Sequence, residues 1–187
     1  HEVLPALIER ATPDKPLRIW VTACATGEEA YSIAMLVHEL LEACDRPIKA
    51  KIFATDIDAI ALAKASAGIY PAAALDELSE ARRERFFTAR DTGFEIARSL
   101  REMIIFANHN LIKDAAFTQM DLVSCRNVLI YMQLELQQQV LRNLHFSLKP
   151  SSTLFLGKSE NLGELEGEFE TAQAKWKIYR KIRNIRL

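Results

Sequence analysis

Short apolar runs alternate with amphipathic stretches along most of this chain. Runs rich in β-branched and aromatic residues at 17–23 (LRIWVTA), 50–56 (AKIFATD), 103–108 (MIIFAN), 120–126 (MDLVSCR), 153–157 (TLFLG) and 176–181 (WKIYRK) predict strands. Between them the spacing changes to that of a helix. A helix from Glu28 to about Cys44 places Tyr31, Ala34, Val37, Leu40 and Leu41 on one face. A second at 58–68 ends at Gly68, where a left-handed cap is expected. A third at 78–87 has Ser79 as its N-cap, and a fourth at 133–148 is stopped by Pro150. The opening sixteen residues read as a short helix running into a proline-containing loop.

This alternation predicts an α/β domain built on a doubly wound, mainly parallel sheet, spanning 1–187 as one unit. A weaker strand signal near EFETAQ, between the last two runs, predicts an antiparallel hairpin at the sheet edge. The region 86–102 suits neither a long helix nor a buried strand. Asp91-Thr92-Gly93 is turn chemistry, so a small protruding hairpin inserted into the main fold is expected there. Internal repeats and low-complexity segments are absent.

Composition narrows the function classes. At 187 residues there is chain enough for one well-buried domain, and a net charge of −1 gives no nucleic-acid footprint. No apolar run is long enough to span a bilayer, so membrane insertion is not expected. Cys24, Cys44 and Cys125 are far apart and the histidines are scattered. A disulfide framework or metal site is therefore not expected, and a reducing cytoplasm fits. The first residues look cut, as in a piece of a longer protein.

In open α/β sheets, ligands sit at the carboxyl ends of the strands. Polar residues collect just there: Ala23-Cys24-Ala25-Thr26-Gly27-Glu28-Glu29 after the first strand, Asp56 and Asp58 after the second, Asn108 to Leu111 after the third. Ser124-Cys125-Arg126-Asn127, with Tyr131 four residues on, follow the fourth, and Gly157 to Asn161 the fifth. An acid ending the second strand is placed to accept both hydroxyls of a ribose. The first turn has one glycine and two acids, which repel a pyrophosphate and welcome a cation. A ligand with a ribose, no phosphates and a positive charge suits the set, and S-adenosylmethionine has these properties. Simpler readings stand beside each residue. Glu28 and Glu29 favour a helix N-terminus, Asp56 or Asp58 caps the next helix, Asn110 satisfies loop backbone, and Cys125 is an inert buried thiol.

At these residues the sequence resembles the CheR-type chemotaxis receptor methyltransferases. TACATGEEAYSIAM, FATDID, HNL, DLVSCRNVLIYM and LFLGKSENL look like that family's successive motifs, from about Val3 to Arg180. The resemblance implies a Rossmann-like fold of the class I methyltransferase type. It implies methyl transfer from S-adenosylmethionine to glutamate side chains of a chemoreceptor cytoplasmic domain or related signalling protein, leaving S-adenosylhomocysteine. By similarity, Ala23, Glu29, Asp56, Asn110, Leu111, Cys125 and Arg126 contact the cofactor, and Arg126 and Tyr131 face the methyl group and the incoming glutamate. A structural ion pair for Arg126 and core packing for Tyr131 are the alternatives.

Three departures from the family pattern accompany the resemblance. The family's N-terminal helical domain and its N-x-T-x-F-F-R motif are not in this sequence. Ala23-Cys24-Ala25 stands where relatives often carry glycine and serine. The inserted hairpin is short, so tethering to a receptor C-terminal pentapeptide is not expected. A carboxylate acceptor needs no strong base near neutral pH, so orientation and water exclusion suffice, and Arg126 is expected to position the glutamate rather than activate it. The basic end, KWKIYRKIRNIRL, reads as an edge strand with a solvated tail or as a surface for an acidic partner. The function expected is protein-glutamate O-methyltransferase. A non-catalytic signalling module that binds the cofactor or a protein is the alternative. Without G-x-G-x-x-G, a dinucleotide oxidoreductase is not supported.

Overall fold

The first strand sets the architecture, because only its second residue escapes full burial. In the computed structural model, which describes residues 3–183, β1 (Leu17–Thr22) is the middle one of five parallel strands in a seven-stranded sheet. The chain begins with α1 (Val3–Arg10), enters β1, and continues through α2 (Glu28–Glu42), β2 (Ala50–Asp56), α3 (Ala59–Ala67) and the two-residue β3 (Ile69–Tyr70). Then come α4 (Glu80–Phe86), β4 (Phe87–Arg90), β5 (Gly93–Ile96), the single turn α5 (Arg98–Arg101), β6 (Ile104–Asn108) and β7 (Met120–Cys125). The chain closes with α6 (Leu134–Ser147), β8 (Leu148–Leu156), β9 (Phe169–Gln173) and β10 (Ile178–Lys181).

The main sheet runs β6-β2-β1-β7-β8-β10-β9. Its first five strands are parallel, and β10 runs antiparallel to both β8 and β9. The expected doubly wound sheet with an antiparallel hairpin at one edge is present. Side chains alternate across β1, so Leu17, Ile19 and Val21 pack into one apolar layer with α1 and α2, while Trp20 packs into the other with α6. Chain order reverses at β1, from which the path goes out to β6 and then crosses to β7. The crevice at the carboxyl ends of β1 and β7 is therefore the switch point where such sheets bind ligands.

Local chemistry explains most boundaries. Asp58 caps α3, accepting from the Ile60 and Ala61 amides, and Gly68 closes it in the left-handed conformation at φ 63°. Ser79 accepts from the Arg82 amide at the start of α4.

Two boundaries differ from the sequence expectation. Pro150 does not stop α6. The helix passes straight into β8 at Leu148, five residues before the apolar run suggested, and Pro150 lies inside the strand. The turn is made instead by Lys181, 1% exposed, whose ammonium donates to the His145 and Leu148 carbonyls at 2.7 and 2.8 Å. The inserted hairpin is also larger than expected. β4 and β5 form it, but β3 pairs with β5 to make a three-stranded sheet, and α5 occupies the end of the 86–102 region.

The basic end is not a solvated tail as far as the structure describes it. Arg180 pairs with Glu170, Arg183 with Glu168, and Lys181 is interior, with β10 one strand in from the edge. The residues beyond Arg183 lie outside the described part. No helix among the described residues is long and apolar enough to cross a membrane.

Candidate functional site

The turn between β1 and α2 is tight and strained. Ala23 and Ala25 both adopt positive φ, 48° and 46°, a conformation that costs an alanine about 1–2 kcal/mol. Hydrogen bonds hold it there. The Cys24 amide donates to the Thr55 carbonyl at 2.9 Å, and the Ala25 amide to Asp56 Oδ2 at 2.8 Å. Gly27, at φ 91°, has no room for a side chain. A Cβ there would lie 2.8 Å from that of Ala65 and 3.1 Å from the Tyr70 hydroxyl, which itself donates to the Thr26 carbonyl.

Asp56 organises the second loop as well. Its Oδ1 accepts from the Asp58 amide at 2.9 Å, and its backbone carbonyl accepts from the His109 amide at 3.0 Å. One carboxylate thus ties together the loops after β1 and β2. The cap of α3 belongs to Asp58, which leaves the second lone pair on each Asp56 oxygen available to a ligand.

Next to Asp56 is a pocket of about 150 Å³ lined by Ala23, Asp56, Ile57, His109, Asn110, Leu111, Ile112, Val128 and Met132. It brings together four of the seven residues expected to contact a cofactor: Ala23, Asp56, Asn110 and Leu111. Asn110 also satisfies loop backbone, its Oδ1 accepting from the Ile112 and Lys113 amides. His109 is 8% exposed. It lies edge-on to Trp20 and against Phe117, with Nε2 on the Ala115 carbonyl at 3.1 Å.

Glu29 and Arg126 meet across the switch point. Glu29 Oε2 accepts from Arg126 Nη1 at 3.0 Å, and Oε1 accepts from the Ser124 hydroxyl at 2.5 Å. The Arg126 guanidinium lies 4.6 Å from the centre of the Phe155 ring, and its Nε is buried without a partner. The acid expected to welcome a cation thus meets one supplied by the protein itself. Glu28 is exposed, its carboxylate accepting from the Thr26 hydroxyl.

Cys125 sits at the floor of the crevice and is fully buried. Burial pushes its thiol up to about 12, with Glu160 and Glu29 adding to the rise and a Thr22 hydrogen bond opposing it. Cys24 is also pushed to about 12, first by burial and then by Asp56. Neither thiol is a thiolate near neutral pH, so neither is an activated nucleophile. Tyr131, on the short 3-10 turn Leu129–Tyr131, does not pack in the core. It is 84% exposed, beside the exposed Ile130 and Leu134.

Sequence reasoning placed two residues at the strand ends but gave them no role. Ser124 is the second donor to Glu29. Glu160, 4% exposed, accepts from the Val128 and Leu129 amides through Oε1 and from the Gly157 amide through Oε2. It clamps the loop that carries Tyr131 to the end of β8. The sequence shows a polar run at 157–161, but nothing in it marks which member turns inward.

The comparison with known families settles the lineage. Residues 1–178 match the family model described as "CheR methyltransferase, SAM binding domain". The chain belongs to the CheR methyltransferase family. This CheR domain is 38% identical over 178 residues to chemotaxis protein methyltransferase 1 of Pseudomonas aeruginosa, covering 92% of this chain and 65% of that protein. It is 40% identical over 183 residues to an uncharacterized 104.1 kDa protein of Rhodobacter capsulatus, covering 98% of this chain and 19% of that protein. The chain thus spans less than two thirds of either relative. Among solved structures, the CMeT domain of the citrinin polyketide synthase shares the fold, with a TM-score of 0.51 at 17% identity, covering 92% of this chain and 34% of that one.

The donor set fits S-adenosylmethionine. Asp56 has free lone pairs for ribose hydroxyls, Leu111, Ile112, Val128 and Met132 give apolar walls for a base, and the loop after β1 offers no cluster of glycine amides for phosphates. Among the described residues, no cluster of His, Cys, Asp and Glu is placed to hold a metal.

Proposed function

We propose that this domain methylates protein carboxylates, converting glutamate side chains of a chemoreceptor cytoplasmic domain or related signalling protein into glutamyl methyl esters. One observation carries the choice of acceptor. The candidate groups for a general base at this crevice are engaged, enclosed or protonated. Asp56 and Glu29 already accept hydrogen bonds through both oxygens, His109 has Nε2 on a carbonyl and its unpartnered Nδ1 shut away from solvent, and Cys24 and Cys125 stay thiols. An amine or hydroxyl acceptor must lose a proton to react, whereas a carboxylate is already ionised near neutral pH.

When bound, S-adenosylmethionine supplies an electrophilic methyl group on a sulfonium. The protein's part is placement. Asp56 and the apolar pocket fix the adenosine end. Arg126, steadied by Glu29 and Phe155, uses its remaining N–H donors to orient the incoming carboxylate, and Tyr131 meets the acceptor chain at the rim. Such positioning is worth up to about 7–11 kcal/mol of a barrier. The set of cofactor contacts proposed is Ala23, Glu29, Asp56, Asn110, Leu111, Cys125 and Arg126. Cys125 takes part through its backbone, since its thiol is enclosed.

The test incubates the full-length protein containing this domain with methyl-labelled S-adenosylmethionine and a receptor cytoplasmic fragment. Incorporated label released as methanol by mild alkali marks an ester and supports the reading. Alkali-stable label points to another acceptor. Binding of S-adenosylhomocysteine with no transfer favours a non-catalytic signalling module.

A further inference from the structure

At the amino ends of the strands, the side of the sheet away from the methyl-transfer site, lies a cavity of about 520 Å³. Its floor is the start of β1 and β7, and its walls include Arg10, Lys15, Arg18, Gln119, Asp121 and Lys149. Arg18 is five residues before Ala23 along β1, roughly 17 Å at strand rise, so the two sites are separate.

The opening has a local cause. The pairing of β7 with β8 shifts register between Met120 and Leu122, so the ladder is broken at Asp121. Pro150, on the facing segment of β8, has no N–H to restore it. Gln119 and Ser151, at the two lips, both sit at positive φ, 60° and 62°.

The charges in this cavity do not cancel. Asp121 is fully engaged, its Oδ1 with the Lys149 ammonium at 2.7 Å and its Oδ2 with the Arg18 amide at 2.9 Å. Those two side chains neutralise each other. Arg10, Lys15 and Arg18 remain, and none of them forms an ion pair among the described residues. Arg10 reaches only the Ser151 carbonyl, at 3.1 Å. Arg18 is fixed over the Phe53 ring at 4.8 Å with a long contact to the Thr118 carbonyl, and its Nε is buried with no hydrogen-bond partner. A chain with a formal net charge of −1 thus gathers three uncompensated cations on one concave surface. A bound anion would offset all three.

We propose that this cavity binds a small diphosphate-bearing ligand. A guanidinium fork matches phosphate oxygens, and the flexible Arg10 and Lys15 can close on a second phosphate from the rim. Each terminal phosphate carries about −1.5 to −2 near neutral pH, so a single carboxylate leaves the site under-neutralised and a diphosphate does not. The volume is within the range of small-molecule sites, about 300–1,000 Å³. Free pyrophosphate and the diphosphate of a nucleotide share this chemistry.

Calorimetry and amide chemical shifts of the purified protein test it, with inorganic pyrophosphate and uridine diphosphate titrated separately. Uridine lacks the adenine that would favour the Asp56 pocket, and shifts in the loops after β1 and β2 report any entry of its ribose there. Expected are saturable binding that weakens with salt, shifts at Arg18, Gln119 and Ser152, and a loss of about tenfold or more in Arg10→Glu/Lys15→Glu. Both reversed residues are exposed, so the fold is retained. Equal affinity for the two probes identifies the diphosphate group as sufficient, and tighter uridine diphosphate identifies a nucleotide as the source. No binding at millimolar probe, shifts confined to the loops after β1 and β2, or unchanged affinity in the double variant overturns the proposal.

Discussion

Glu29 and Arg126 come from opposite sides of the chain reversal and meet through one hydrogen-bonded ion pair of 3.0 Å. Ser124 fixes the other Glu29 oxygen, and Phe155 lies against the guanidinium. The carboxylate therefore aims the arginine, and each of its oxygens keeps a lone pair for a ligand. Glu29→Gln keeps the acceptor for Ser124 but removes the charge that holds Arg126. Methyl transfer is expected to fall about 10²-fold, the usual cost of misplacing a reacting partner by an ångström. The stability loss should be only about 1 kcal/mol, because both side chains remain partly exposed. Arg126→Lys should lower the rate similarly while raising KM for the protein acceptor. Steady-state kinetics with urea unfolding checks both, and a Glu29→Gln enzyme with full activity would remove Arg126 orientation from the mechanism.

Asp56 has a double task, which separates its two variants. Asp56→Asn retains one acceptor oxygen but opposes an N–H donor to the amide of either Ala25 or Asp58, disturbing one loop. Asp56→Ala loses both loop contacts and the ribose acceptor. Affinity for S-adenosylhomocysteine should drop about tenfold in the first and about 10²-fold or more in the second, since charge-assisted hydrogen bonds contribute about 1.5–3 kcal/mol each. Calorimetry of both variants measures this. Equal, small losses would mean that the ribose lies elsewhere.

The uneven legibility of this site follows from what local pattern encodes. Strand ends were readable because buried parallel strands are continuous apolar runs, and the first polar residue after each must emerge at the carboxyl edge. That is why Asp56 could be named from its position alone, while Ala23, Asn110 and Leu111, named through the family resemblance, are found around the same pocket. Pairings between loops were not readable. The sequence gives no sign that Glu29 meets Arg126 97 residues later, or that Glu160 turns inward while Lys158 and Ser159 turn out. The same limit applies to the helix-to-strand junction at Leu148. Pro150 looks like a helix stop, but the carbonyls there are satisfied by Lys181, 33 residues away.

Glu160 is expected to be the most sensitive residue for stability around the site. It is a buried carboxylate satisfied by three amides from two loops. Glu160→Ala leaves those donors unpaired, at about 1–3 kcal/mol for each that water cannot reach. It should also release the turn carrying Tyr131. Glu160→Gln preserves part of the set and should cost less. Denaturant unfolding gives the stability ranking. Trypsin susceptibility near Arg126 gives the loop effect, and an intact loop in Glu160→Ala would refute the clamp.

Acid sensitivity should trace to His145 on α6. Burial and, after it, the neighbouring Lys181 ammonium lower its pKa from the usual 6.5 to about 4, with Glu168 opposing both. The side chain is 1% exposed and packs edge-on to Phe169. The native state therefore holds a neutral imidazole, while the unfolded chain takes up a proton as pH falls through 6.5. The contribution is fully present above pH 6.5 and is lost as pH drops toward 4, at most about 3 kcal/mol for this one group. His145→Leu removes the titration and keeps an apolar side chain against Phe169, so its stability should change less between pH 7 and pH 4.5 than the parent's. Urea titrations of both proteins at pH 7, 6, 5 and 4.5 decide the matter. Parallel pH profiles would assign the acid sensitivity to the carboxylates instead, among them Glu39 and Glu168, which Arg82 and Arg183 hold below the usual range.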